Sequence, residues 1–215
     1  MAARTSLSRL ATAAGVGYLL GTLPSADVAA RIASGGTLDL RTAGSGNPGG
    51  ANVLKLLGPR WGYAVIGIDI AKGAAAAQAG RAIAGQSGAH IGGASSVIGH
   101  CFPVWSNGGR RFRGGKGVGA SAGQCLATFP AYFPLDLGVA LLTSTRRFKA
   151  RARAGTLTAS VVWVAAGLLW WRRGWPNLWG PKPSAALPIA SAVSSAVVAY
   201  KFLSAPDPTV SAAAG

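Results

Sequence analysis

Long apolar runs alternate along the chain with short polar or glycine-rich breaks, and the run lengths set the architecture. The first run extends from about Leu7 to Ile32, with Pro24 inside it. A bend before proline is tolerated in a packed bundle because neighbours satisfy the freed carbonyl, so the run reads as a retained first membrane helix. Arg4 and Arg9 ahead of it, with Val28, Ala29 and Ala30 near its end, also suit a cleaved signal peptide. Trp61 to Gly85 reads as the second span and about Gly88 to Trp105 as the third. From Gly117 to Thr145 the chain is apolar for longer than one crossing needs, with Pro130 and Pro134 bracketing three residues. Two helices, the second a short one over about Pro134 to Phe148, keep the basic stretches 106–116 and 146–153 on one side, as the positive-inside rule requires. Thr156 to Trp171 and Ser184 to Leu203 supply the sixth and seventh spans. The expected fold is therefore all-α, a polytopic membrane protein of about seven transmembrane helices joined by glycine-rich cytoplasmic loops. Residues 1–215 are expected to form a single membrane-embedded domain, with 204–215 a disordered tail.

Composition agrees with that pattern. Half of the residues are hydrophobic, only 12% are charged, and mean hydropathy is positive. The charge is lopsided: 21 Lys and Arg against 5 acidic residues, all of them Asp, give +16. Such a balance suits anionic lipid or an anionic substrate. Nucleic acid is excluded as a partner because the cations lie between apolar runs and no recognition module is present. Seven spans place 14 of the cations, among them Arg31, Arg41, Lys55, Arg60 and Lys116, on the cytoplasmic side and 6 outside. The N-terminus is then outside and both glycine-rich segments are inside, with Arg172 and Arg173 the exceptions. Trp170, Trp171, Trp175 and Trp179 suit an interfacial belt. Cys101 and Cys125 read as buried free thiols.

Candidate chemistry is concentrated in Gly44 to Lys55 and in Gly114-Gly115-Lys116-Gly117. A glycine-dense backbone can turn its N–H groups inward because no Cβ blocks positive φ, and such clusters bind anions. Lys55 and Lys116 add point charges, so the two segments read as one phosphate site built from two loops. Asp69 and Lys72 share a helical face inside the second span, as an internal ion pair or as part of a site. Three decoys fail. Gly44 to Gly49 matches G-x-G-x-x-G, but no βαβ alternation surrounds it and Pro48 sits where a helix should open. Lys116 lacks the first P-loop glycine and has Gly117 where Ser or Thr should hold magnesium. His100 beside Cys101 has no spaced partner ligands, so no metal and no cofactor is expected.

The residues also carry a resemblance. Gly21-Thr22-Leu23-Pro24, Asp39-Leu40-Arg41, Gly44-Ser45-Gly46-Asn47 with Gly49 and Asn52, Asp69 to Gly73, Gly99-His100 with Pro103, and Gly114 to Val118 resemble the bacterial acyl-phosphate-dependent glycerol-3-phosphate acyltransferase family, the PlsY type. The resemblance covers roughly residues 18–121. It implies a seven-helix enzyme of the bacterial inner membrane that takes acyl phosphate and glycerol 3-phosphate as substrates and makes lysophosphatidic acid on the cytoplasmic side. Ala51 and Lys55 stand where the family's first motif has Thr and Arg, and Arg147 and Lys149 replace a Tyr and a Ser after Thr145-Arg146. The family's third motif, with its His, Asn and late Glu, has no counterpart in Lys201 to Gly215.

An acyl phosphate carries a good leaving group, so the catalyst needs chiefly to hold two anions close and stabilise a developing oxyanion. On this reading His100, Ser45 and Lys116 are the catalytic candidates. Arg41, Gly44, Gly46, Asn47, Gly49, Asn52, Lys55, Gly114, Gly115 and Gly117 bind substrate. Asn47 and Asn52 fit equally as side chains that order the loop without touching substrate. His100 fits either as a group orienting phosphate or as a weak base. Two other readings stay open on the residues alone: a family member with a changed acceptor or no catalysis, and a non-enzymatic membrane component or anion transporter.

Overall fold

The structure is a computed structural model and describes residues 6–105, 113–144 and 152–204. Most of the basic stretches 106–116 and 146–153, the Thr145-Arg146 match and the tail beyond Ser204 lie outside the described residues. Among the described residues eight helices follow one another: α1 Leu7–Gly21, α2 Ser25–Ser34, α3 Gly50–Leu57, α4 Pro59–Cys101, α5 Val118–Thr128, α6 Phe133–Ser144, α7 Ala152–Arg173 and α8 Ala186–Leu203. The described residues contain no strand. Helix α4 is two arms joined at a kink, where Ala84 and Gly85 leave helical geometry and Gly85 has φ 65°. With its arms counted separately, α1 and α4 to α8 make seven long segments, and α2 and α3 are short additions.

The boundaries correct several expectations. Leu7 to Ile32 is two helices, because Pro24 carries no N–H and the chain turns at Thr22, Leu23 and Pro24 before α2 begins. Helix α1 has 15 residues, about 22 Å of rise. The stretch Gly44 to Lys55 is a loop only as far as Gly49, since α3 starts at Gly50 and carries both Asn52 and Lys55. The third span stops at Cys101, leaving Phe102 to Trp105 outside helix, and the sixth runs on through Arg172 and Arg173. Among the described residues two helices are long and apolar enough to cross a membrane by length and composition, Arg153–Arg173 and Ala186–Leu203.

The centre is held by small residues. A Cβ on Gly17, Gly21 or Gly99 would strike backbone across the α1–α4 contact, and one on Gly73 or Gly123 would strike backbone across α4–α5. Within α4, Gly80 meets Gly88 and Ala76 meets Gly92 backbone to backbone as the arms fold together. Lipid tails are as apolar as Leu, so helices in a membrane gain by close van der Waals approach, which small residues permit. The outer flank is built differently. Phe129, Tyr132, Trp163 and Leu187 form an aromatic-rich cluster joining α5 and the α5–α6 turn to α7 and α8.

Candidate active site

Breaking the helix at Pro24 creates the site. The interrupted ladder frees the carbonyls of Thr22 and Leu23. Trp105 donates its Nε1–H to the first at 3.0 Å, and Lys72 donates from Nζ to the second at 3.0 Å. The restarted helix α2 presents its N-terminus, with N–H groups that no intrahelical carbonyl can satisfy, to a cleft of about 190 Å³. Ser25, Asp27, Arg31, Arg41, Lys72 and His100 line it together with Pro48, Gly114 and Gly115.

A buried cluster forms its floor. Asp69 Oδ1 accepts from Ser25 Oγ at 2.6 Å and pairs with Lys72 Nζ at 2.9 Å, while His100 Nδ1 lies 3.6 Å away. Asp69, Lys72 and His100 are each less than 9% exposed. The i,i+3 spacing of Asp69 and Lys72 puts both on one face of α4, and His100 comes from the end of its second arm. On the wall, Arg41 grips Asp27 through both guanidinium ends, at 2.6 and 2.9 Å, and its Nε donates to the Arg113 carbonyl at 3.1 Å. The hydrogen bond to Asp27 holds Arg41 more firmly protonated than an ordinary arginine, against the opposing effect of burial. Arg31 forms no ion pair among the described residues.

The two glycine-rich segments meet here. A Cβ on Gly115 would collide with His100 Nε2 and come within 3.0 Å of the Pro48 carbonyl, so only glycine fits between the first segment and the histidine. Gly114 donates its N–H to the Cys101 carbonyl at 3.2 Å, and that of Gly115 has no partner among the described residues.

The structure separates the remaining candidates from the cleft. Asn52 is buried. It accepts from the Ser45 N–H at 2.9 Å and donates to the Leu40 and Ala43 carbonyls at 3.2 and 3.0 Å, so it orders the loop. Gly44, at φ 61°, lies against the same side chain: a Cβ there would land on Asn52 Oδ1. Gly46, Asn47 and Gly49 shape the same turn, with the Asn47 amide packed beside Gly49 and Ser45 exposed. Lys55 is exposed on α3, away from the cleft. Lys116 lays its Nζ over the Phe202 ring, 4.6 Å from the centroid, while Gly117 at φ 86° starts α5. Burial, followed by the charge of Arg153, pushes Lys116 below the usual lysine range.

Ser25, Asp27, Arg31 and Trp105 were not among the candidate site residues read from the sequence. The signal for the first three was Ser25 directly after Pro24, Asp27 two residues on and Arg31 one turn beyond that, the start of a second helix.

With this geometry in view, comparison with known proteins is decisive. Residues 11–207 match the family described as glycerol-3-phosphate acyltransferase. The chain belongs to that family. Relatives named glycerol-3-phosphate acyltransferase include one from Roseobacter denitrificans, 38% identical over 77% of this chain and 78% of its own. Another, from Thermoanaerobacter sp. strain X514, is 32% identical over 73% and 75%. Among solved structures, PlsY, an integral membrane glycerol 3-phosphate acyltransferase, is similar in two forms. The glycerol 3-phosphate form has TM-score 0.68 and 27% identity over 90% of this chain and 88% of that one. The lysophosphatidic acid form has TM-score 0.67 and 25% identity over 89% and 87%. This chain is an acyltransferase and a membrane protein.

Proposed function

We propose that the cleft beneath the α2 N-terminus is where this glycerol-3-phosphate acyltransferase transfers an acyl group from acyl phosphate to the 1-hydroxyl of glycerol 3-phosphate, giving lysophosphatidic acid. The observation that carries the reading is the convergence of a free helix N-terminus, the Gly115 N–H and the cations Arg31, Arg41 and Lys72 on one small space. Each of these features favours a phosphate.

In the reaction the hydroxyl oxygen bonds to the acyl carbon, and the anhydride C–O bond breaks with its electron pair going to phosphate. The hydroxyl proton leaves with that phosphate. Asp69 is committed to Ser25 and Lys72, and His100 Nε2 is turned against the Gly115 backbone, so neither is free to take it. His100 then acts by holding the Gly115 loop, and Lys72 and the loop N–H groups stabilise charge on the departing group. Arg41 and Arg31 hold the second phosphate. Ser45, Asn47, Asn52 and the glycines Gly44, Gly46 and Gly49 shape the loop that seats Arg41. Gly117 starts α5, and Lys55 and Lys116 add a longer-range field.

The reading treats the chain as one membrane-embedded unit with the cleft facing the cytoplasm of a bacterial cell, because the cations concentrate at that end. Purified protein given glycerol 3-phosphate with acyl phosphate or with acyl-CoA tests it. Lysophosphatidic acid and phosphate should form with the first donor only, and equal use of acyl-CoA would remove the acyl-phosphate reading. Labelling of a cysteine at Ser34 by an impermeant reagent from the outer face would remove the sidedness.

A further inference from the structure

At the other end of the bundle the turn between α7 and α8 folds back over α5. Asn177 donates its Nδ2–H to the Thr128 carbonyl at 2.9 Å and Trp179 its Nε1–H to the Leu126 carbonyl at 3.1 Å. Beside this turn, α7 and the α5–α6 connection enclose an open groove of about 380 Å³. Its walls are apolar, with Leu135, Val161, Ala165, Leu169 and Trp170 among them. One lining residue is not. Tyr132 is 3% exposed, and its hydroxyl has no hydrogen-bond partner among the described residues. That hydroxyl is covered by protein atoms, so the groove meets the body of the tyrosine.

The end of the groove is charged. Trp170 meets Trp175 edge to face at 4.8 Å between centroids. The Arg173 guanidinium lies over Trp175 at 5.7 Å and that of Arg172 over Trp171 at 5.4 Å. Both arginines are exposed, and neither forms an ion pair among the described residues. They are also the cations that the positive-inside distribution leaves unexplained. An apolar slot and two guanidiniums without an ion-pair partner beyond Trp170 are the parts of an amphiphile site, ordered as the molecule would need them.

We propose that this groove holds one anionic phospholipid in the leaflet opposite the active site. Its acyl chain runs along α7, and its phosphate rests on Arg172 and Arg173. A second copy of the chain fits less well, because a two-fold contact through this face would bring two like-charged arginine pairs to one level of the membrane.

Native mass spectrometry of the protein released from nanodiscs of equal phosphatidylglycerol and phosphatidylcholine tests this. One retained phosphatidylglycerol per chain is expected. Arg172→Gln with Arg173→Gln should lower the preference for phosphatidylglycerol by roughly tenfold or more. Ala165→Trp, at an exposed position on the groove wall, should displace the lipid. All the variants should still acylate glycerol 3-phosphate, since none of these residues lines the cleft, and that activity shows they are folded. Retention of both lipids alike and unchanged in the arginine variant, no retained lipid, or a dimer that Ala165→Trp dissociates would each overturn the proposal.

Discussion

The α1–α4–α5 centre and the α7 flank use opposite means to make a membrane bundle. In the centre, glycine and alanine bring backbones into contact, and the space so defined is small enough to seat Asp69, Lys72 and His100 among carbonyls and a serine. On the flank, Val161, Leu168 and Leu169 face outward, and α7 sends Trp163 and Trp170 into the cluster with Phe129, Tyr132 and Leu187. The centre has almost no tolerance for added volume and holds its charges in fixed geometry. The flank tolerates change and offers an apolar face. The buried charges sit in the first region because a buried charge needs partners that do not move.

The largest contrast should come from adding volume. Gly123→Leu must push against the Ile70 carbonyl and the Ala74 N–H, both backbone, whereas a Cβ at Gly138 meets nothing within 4 Å among the described residues. The first should cost about 3 kcal/mol or more and leave little folded protein in detergent. The second should leave thermal stability close to that of the parent. Equal melting temperatures would mean that the close backbone approach does not hold the centre together.

The buried ion cluster should give an effect of similar size. Asp69→Ala leaves Lys72 charged, 5% exposed and without a carboxylate, a loss of about 3–5 kcal/mol. The double change Asp69→Ala with Lys72→Met should recover much of that stability without recovering turnover. A double variant as unstable as the single one would show that the Lys72 charge is not what the single change leaves exposed.

Much of this arrangement was legible from the sequence, and the limits are physical. Run lengths and charge gave seven long segments, and the Asp69–Lys72 spacing announced a pair on one helical face. The glycine-rich segments, some sixty residues apart, do meet at Pro48 and Gly115. The break after Thr22 was not legible as a wall of the site. Alanine-rich α2 continues the apolarity of α1, and only Pro24, Ser25 and Asp27 mark a new N-terminus. Lys55 and Lys116 looked equivalent to Arg41 because spacing carries no direction. Helix α3 turns Lys55 to solvent, Lys116 lies on Phe202, and only Arg41 reaches the cleft, held there by Asp27.

Arg41→Lys sharpens that distinction with a smaller effect. A lysine keeps the charge but cannot grip both Asp27 oxygens while its neck donates to the Arg113 carbonyl. KM for glycerol 3-phosphate should rise roughly tenfold, consistent with a charge-assisted bidentate contact, with kcat changed less. Lys55→Ala, on the exposed face of α3, should change KM by less than threefold, about 0.65 kcal/mol. If the two variants were alike, the cleft would be reading total charge and not the fork.

The smallest effect, and the one that separates field from contact, concerns Lys116. Burial and then Arg153 lower its pKa, so the cation is lost at a lower pH than an ordinary lysine would allow. Any help its charge gives to phosphate binding is therefore complete near neutrality and fades as pH rises through the lowered value. Stability runs the other way. In the window between the lowered folded pKa and the ordinary unfolded one, the unfolded chain binds more protons, so this group's contribution to stability rises with pH. Lys116→Arg keeps the charge throughout that window and retains a cation to lie on Phe202. It should carry the alkaline limb of kcat/KM to higher pH and flatten the stability gain, leaving neutral-pH turnover within about threefold, 0.65 kcal/mol. Lys116→Ala should remove both pH effects and raise KM for both phosphate substrates alike. A limb that stays in place in Lys116→Arg would assign the alkaline loss to another group and confine Lys116 to packing against α8.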